Sequence, residues 1–234
     1  GGSTNVAEGG AVDTYTVVLT SQPTANVTIT LTADAQVGVS AGTLTFTAVN
    51  WNVAQSVTVS AVNDSVAEGN HAGTISHSAA SSDPGYNGLA VGSVSAAVTD
   101  NDTAGVVVAP SGGSTNVTEG GFGDAYTVVL TSQPTGNVTV TLTPGDQLTA
   151  SPTPLTFTPT NWNLAQTVFV SALDDRVAEG GHAGTITHSA SSTDPNYNGI
   201  SVVPVRVSIS DNDTAGVVVT PSGGSTSVTE GGAT

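Results

Sequence analysis

The sequence predicts an all-β protein built from tandem Greek-key antiparallel β-sandwich domains. Three observations carry that expectation. Apolar side chains recur with period two and not 3.6: Val138, Val140 and Leu142 alternate with Thr139 and Thr141, while Tyr126, Val128 and Leu130 share one parity and Val168 and Val170 another. Such Val/Thr runs, bounded by Pro, Gly and Asn, are strand signals, and no stretch carries a helical stripe. The chain also repeats itself: Gly1-Gly2-Ser3-Thr4-Asn5-Val6 recurs from Gly112, Asn50-Trp51-Asn52 from Asn161, and His71-Ala72-Gly73-Thr74-Ile75 from His182, always 111 residues on. About two-thirds of the aligned positions are identical, which marks a tandem array.

In the second repeat the alternation places strands near 105–109, 114–118, 125–132, 137–143, 155–158, 166–173, 183–190 and 200–210. Seven or eight short strands in about 110 residues point to two packed antiparallel sheets of the immunoglobulin-like kind. Each unit opens at the Gly-Val-Val-Val strand, so boundaries fall at 103/104 and 213/214. Residues 1–103 then form a first sandwich without its opening strand, 104–213 a complete one, and 214–234 the opening strand of a third repeat. The pattern predicts an excerpt of a longer array. It also predicts that the strand at Gly216–Thr220 completes the first sandwich of another copy by strand addition, giving head-to-tail polymers.

Composition narrows the function. Among 234 residues the only basic side chains besides histidine are Arg176 and Arg206, and the formal charge is −16. One-sided charge keeps copies apart and disfavours nucleic acid and anionic membranes, which need cations against their phosphates. There is no Cys for a disulfide or thiolate site and no Lys for a Lys–Asn cross-link. No apolar run approaches the ~20 residues of a membrane span. A divalent cation is the natural partner.

Strand polarity says where it would bind. Successive connections in an antiparallel sandwich alternate between two poles. The Glu119-Gly120-Gly121 loop, the Asp146 loop, Asp174–Glu179 and the exit Asp211-Asn212-Asp213 share one pole. The turns at 133–137, 159–162 and 194–199 share the other. Of the nine carboxylates of this repeat, eight fall on the first pole and only Asp194 on the second. Exposed like charges ~4 Å apart repel by about 1 kcal/mol per pair even in water. Calcium takes six to eight oxygens in irregular geometry and suits such loops. Because this pole leads into the next unit, the ion would sit at the hinge between domains.

Val117-Thr118-Glu119-Gly120-Gly121, Leu155-Thr156-Phe157, the Gln166-Thr167-Val168-x-Val170 strand, the Asp174-Asp175-x-x-x-Glu179 loop and the closing Asp-Asn-Asp together resemble Calx-beta repeats. That resemblance implies a sandwich whose distal loops supply calcium ligands. Here these would be Glu119, Asp174, Asp175, Glu179, Asp211 and Asp213, with Asp146 as a further candidate. In the first repeat they would be Glu8, Asp64, Glu68, Asp100 and Asp102, with Asp34 as a further candidate. Asn63, Asn101 and Asn212 stand where the family is more acidic, which implies fewer ions or weaker binding.

The remaining polar motifs are weaker. His182 and His188 lie on one strand, roughly 20 Å apart at ~3.4 Å per residue, and cannot share an ion. His188 reads as a hydrogen-bonded histidine at the core edge, and His182 as a neighbour of the acidic loop. Trp162 reads as a plug for the sandwich or the interdomain contact. No nucleophile elbow, phosphate loop or helix-borne His pair is present, so the sequence predicts no enzyme. The expectation is a calcium-stiffened structural repeat of an extracellular fibre, adhesin stalk or matrix protein. A calcium-sensing regulatory module and a glycan- or receptor-binding adhesin module are the alternatives.

Overall fold

A computed structural model describes residues 4–221, 223, 224 and 230. The chain is all-β, in two sandwiches. In the first sandwich the strands are β1 (Thr4–Ala7), β2 (Asp13–Val17), β3 (Val27–Ala33), β4 (Val37–Val39), β5 (Thr43–Phe46), β6 (Gln55–Ala61), β7 (His71–Ser81) and β8 (Ala90–Thr99). The second comprises β9 (Val106–Pro110), β10 (Thr115–Thr118), β11 (Asp124–Leu130), β12 (Val138–Pro144), β13 (Leu148–Ser151), β14 (Leu155–Phe157), β15 (Gln166–Ala172), β16 (His182–Ser192) and β17 (Val205–Ser210).

The two sheets of the second sandwich run β10-β17-β16-β12-β14 and β13-β15-β11-β9. Those of the first run β1-β8-β7-β3-β5 and β2-β6-β4, so among the described residues its smaller sheet has three strands where its twin has four. After β9 the chain crosses between sheets through the Ser111–Gly113 turn, where Gly112 and Gly113 both have positive φ (66° and 85°) that a side chain would strain. It then enters β10, which pairs parallel with the exit strand β17, Thr118 opposite Ser210. Of the third-repeat opening, residues 214–221 carry no strand and Val217, Val218 and Val219 stand exposed. Ser222, 225–229 and 231–234 lie outside the described residues.

The period-two pattern becomes burial. Val138, Val140 and Leu142 point into the core, as do Tyr126, Val128, Leu130, Val168 and Val170. Trp162 and its twin Trp51 are partly buried against the two cores, in the plug role. Two departures from the sequence reading have local causes. The expected strand at 200–210 begins only at Val205, because Pro204 has no N–H to give the ladder; its twin Ser93 does, and β8 extends back to Ala90. Leu148–Ser151, read as loop, pairs with β15 and buries Leu148.

Away from the acidic pole, polar groups serve as braces. Tyr197 Oη donates to Ser132 O (2.7 Å) and accepts from Ser132 N–H (3.1 Å). Asp194, the lone acid of this pole, accepts N–H bonds from Thr135 (2.8 Å) and Asn196 (2.9 Å). His188 donates Nδ1–H to Val203 O (3.1 Å), so Nε2 accepts from Tyr126 Oη (2.9 Å), and burial lowers its pKa. That shift makes His188 contribute stability above pH 6.5 that is lost as pH falls below it. Tyr197→Phe should strand the buried Ser132 N–H and cost about 1–3 kcal/mol in urea unfolding. Tyr86→Phe should cost less, because its partner Ser21 is exposed.

Candidate metal centre

Parallel pairing of β10 with β17 sends both strands out of the same pole. Glu119 N–H therefore donates to Ser210 O (3.0 Å), and the Glu119 loop lies against the Asp211-Asn212-Asp213 exit. The β15–β16 connection adds Asp174, Asp175 and Glu179 from a third direction. Glu119 is closed off from solvent at 1% exposure, and neither carboxylate oxygen has a hydrogen-bond partner. Asp213 Oδ2 is likewise buried without a partner. Burial raises the Glu119 pKa, and Asp211 and Asp175 raise it further.

Ligand atoms of Glu119, Asp175 and Asp213 lie within 4.8 Å of one another, as do those of Glu119, Glu179 and His182. The first sandwich repeats the second group as Glu8, Glu68 and His71, and in place of the first it gathers Glu8, Asp100 and Asp102, where Asp100 is the twin of Asp211 and not of Asp175. Glu8 is 4% exposed, again with both oxygens unpartnered. Oxygens on opposite sides of one calcium ion are about 5 Å apart, given Ca–O distances near 2.3–2.6 Å. The donor set and its spacing fit a hard divalent cation.

Not every predicted ligand converges. Asp174 Oδ1 accepts from Asn212 Nδ2 (2.9 Å). Asp211 takes Asp213 N–H (2.7 Å) and Gly180 N–H (2.5 Å), two donors that lower its pKa. Asp64 accepts from Val66 N–H (2.7 Å). Asp34 accepts from Gln36 N–H (3.0 Å) and Thr74 N–H (2.6 Å), and Asp146 is exposed; neither belongs to the converging groups.

Several contacts within the site carry no sequence signal. Asn212 Nδ2 also donates to Glu119 O (2.9 Å), clipping two loops together, and Asn101 does the same between Glu8 O (3.1 Å) and Asn63 Oδ1 (2.8 Å). Gln147 Nε2 reaches both Glu179 oxygens (3.3 and 3.1 Å), as Gln36 does for Glu68. Gly120 has positive φ (58°), and a Cβ there would meet Asp174 Oδ1 at 2.8 Å and Asn212 Nδ2 at 2.9 Å. His182 holds Nδ1–H on Gly180 O (2.9 Å), which aims Nε2 toward Glu179 Oε2 (3.7 Å). Its pKa is raised by that carbonyl and by Glu179, Glu119 and Asp211, although burial opposes the shift.

The acidic pole of the first sandwich abuts the second. Gln133 N–H donates to Ser65 O (2.6 Å) and Asn196 Nδ2 to Ala67 O (2.7 Å), across the seam. Asp102, with Oδ2 buried and unpartnered, lies on the strand-to-strand connection itself.

No family model matches the chain, and no curated protein matches it. Solved structures similar to it include the apo-form Calx CBD1 domain, at 19% identity and TM-score 0.35 over 46% of this chain and 98% of that one. CBD12 from CALX1.2 is similar at 15% identity and TM-score 0.37, over 89% and 96%. The titin domains z1z2 in complex with telethonin are similar at 12% and 0.36, over 91% and 93%. The chain's own side chains carry the reading that follows.

Glu119→Gln should raise the melting temperature in chelator at neutral pH, since it removes a buried charge with no partner. The folded-state pKa of Glu119 is raised, so its contribution is present below pH 4.5 and lost as pH rises through the folded value. The gain from Glu119→Gln should therefore shrink as pH falls toward 4.5, read by melting in matched buffers. Asn212→Ala should cost about 1 kcal/mol by freeing the two loops, read the same way.

Proposed function

We propose that the chain is a calcium-stabilised structural unit of an extracellular fibre, adhesin stalk or matrix protein. The observation that carries this is the repeated buried glutamate, Glu8 and Glu119, each shut away from water without a hydrogen-bond partner and facing further carboxylates. A bound calcium ion supplies the positive charge and oxygen coordination those groups lack. Glu119, Asp175, Asp213 and Glu179 would hold it in the second sandwich; Glu8, Asp100, Asp102 and Glu68 would hold it in the first. Asn212, Gln147 and Asp211 keep the loops in place, so the chain's own residues need little rearrangement on binding.

Placement favours a stiffening role. The ligand Asp102 sits on the connection between sandwiches, so fixing it limits the angle between them. The strongly acidic surface and the absence of cysteine and lysine suit a chain that gains rigidity from a divalent ion in a calcium-rich extracellular setting. Among the described residues no helix is long and apolar enough to cross a membrane.

Calorimetric titration with calcium should show binding, and calcium at a hundredfold excess over Kd should stabilise the fold by about 2.7 kcal/mol per site, reversed by chelator. Scattering profiles should change little in shape. Absence of heat together with identical melting in calcium and chelator would overturn the proposal. A large calcium-driven change in shape would instead mark a sensor.

A further inference from the structure

The acidic pole carries one donor type that a calcium site does not call for. β16 opens on His182 and β7 on its twin His71, each two residues after a glycine of positive φ, Gly180 (72°) and Gly69 (68°). The backbone of that glycine is held on both sides. Its N–H donates to the exit aspartate, from Gly180 to Asp211 Oδ2 (2.5 Å) and from Gly69 to Asp100 Oδ2 (2.6 Å). Its carbonyl accepts Nδ1–H of the histidine, at 2.9 Å for His182 and 2.8 Å for His71. A carbonyl can only accept, so the proton stays on Nδ1 and Nε2 keeps its lone pair.

Nε2 of both histidines is buried and has no hydrogen-bond partner. It faces a carboxylate across a gap: Glu179 Oε2 lies 3.7 Å from His182 Nε2, and Glu68 Oε2 3.6 Å from His71 Nε2. A charge-assisted hydrogen bond would close to about 2.7–2.9 Å. Two ligand atoms that each sit ~2.0–2.1 Å from one tetrahedral zinc ion stand about 3.3–3.4 Å apart, much nearer the spacing seen. The third corner is the buried glutamate. Ligand atoms of Glu119, Glu179 and His182 lie within 4.8 Å of one another, as do those of Glu8, Glu68 and His71. Glu119 and Glu8 bring to that point carboxylates whose oxygens have no partner, on side chains 1% and 4% exposed. Gln147 Nε2 spans both oxygens of Glu179 (3.3 and 3.1 Å), and Gln36 those of Glu68 (3.0 and 3.2 Å). Outer partners on a ring N–H and on a carboxylate are what orient the ligands of a metal ion.

The two copies set this group apart from the all-oxygen one. The oxygen group changes between them, Asp175 giving way to Asp100, and Asn63 stands where the second copy has Asp174. The histidine group repeats residue for residue, together with its glycine, glutamine and exit-aspartate supports. Calcium is served by oxygen ligands, whereas imidazole nitrogen suits zinc and its first-row neighbours. We propose that His182, Glu119 and Glu179 bind a divalent transition-metal ion of the zinc type, with water in the fourth position, and that His71, Glu8 and Glu68 do the same in the first sandwich. Glu119 and Glu8 each belong to both groups of their pole, so one buried carboxylate serves a nitrogen-containing subsite and an oxygen subsite. The inference shares these carboxylates with the calcium reading and does not require that calcium bind.

The other two histidines are a control inside the same chain. His188 has its ring nitrogens engaged by Val203 O and Tyr126 Oη, and His77 by Gly92 O and Tyr15 Oη. In the chelator-treated full chain, zinc should shift the imidazole resonances of His182 and His71 and leave those of His188 and His77 in place. Calorimetric titration with zinc should give one ion per sandwich, and cobalt in its place should show the visible absorption of a tetrahedral site. His71→Gln/His182→Gln should weaken zinc binding by about a hundredfold and abolish the cobalt absorption, with calcium affinity and melting in chelator little changed. Gln36→Ala/Gln147→Ala leaves every ligand in place and should weaken zinc binding by about tenfold. Zinc bound as tightly by His71→Gln/His182→Gln, or with no shift at His182 and His71, would overturn the proposal. Heat from calcium with no response to zinc would also overturn it and leave the calcium reading standing. The zinc pattern with no heat from calcium would sustain it and sink the calcium reading.

Discussion

The parallel pairing of the first and last strands of the larger sheet constrains everything at the acidic pole. An antiparallel neighbour would deliver the end of β10 and the end of β17 to opposite poles. The parallel register, Thr118 on Ser210 and Ala7 on Thr99, makes the Glu loop and the Asp-Asn-Asp exit leave side by side. From that register follows the enclosure of Glu119 and Glu8 by their own repeat's exit segments. A carboxylate held this way, dry and unpartnered, is costly unless a cation or proton compensates it. The arrangement occurs twice in one chain, so it is a feature of the repeat and not an accident of one loop.

Around that glutamate the other polar groups divide into those that face the cluster and those that hold it. Asp211 uses both oxygens on backbone N–H groups of its own pole, and Asp100 does the same while still lying within the converging group of the first sandwich. Asn212 and Asn101 hold the glutamate loop to the neighbouring one whether that neighbour presents Asp174 or Asn63. The asparagines that weaken the acidic pattern are therefore the clips that keep it in register. A full row of aspartates at those positions would add charge and lose the donors.

Strand parity, the 111-residue repeat and the segregation of acids to one pole were legible from residue types and spacing alone. Pro204 was legible in principle, since a residue without N–H cannot continue the strand expected at 200–210. The clips were not: Asn212 meets Glu119 across 93 positions, and Gln147 meets Glu179 across 32, contacts that no local pattern announces. Asp34 and Asp146 show the reverse limit. Their loops lie at positions offset by one between the repeats, and the structure gives one carboxylate to backbone N–H groups and leaves the other in solvent.

The two sandwiches act as an internal control on what burial contributes. Their cores share the same residue types at most positions, and their larger sheets have the same strand order, while among the described residues only the second has a fourth strand on the smaller sheet. In the second sandwich Tyr197 and the Ser132 it brackets are sealed at 1% and 0% exposure; in the first Tyr86 is at 7% and Ser21 is exposed. The hydrogen bonds of the two tyrosines are nearly the same length, 2.7 Å and 2.6 Å to the serine carbonyl. The brace is therefore the same in both copies; what differs is shelter from competing water, and in the second sandwich the seam with the first reaches Gln133 and Asn196 beside this corner. Burial and the brace are coupled through solvent exclusion: the same hydrogen bonds stand in both copies, and they count for more where the corner is sealed.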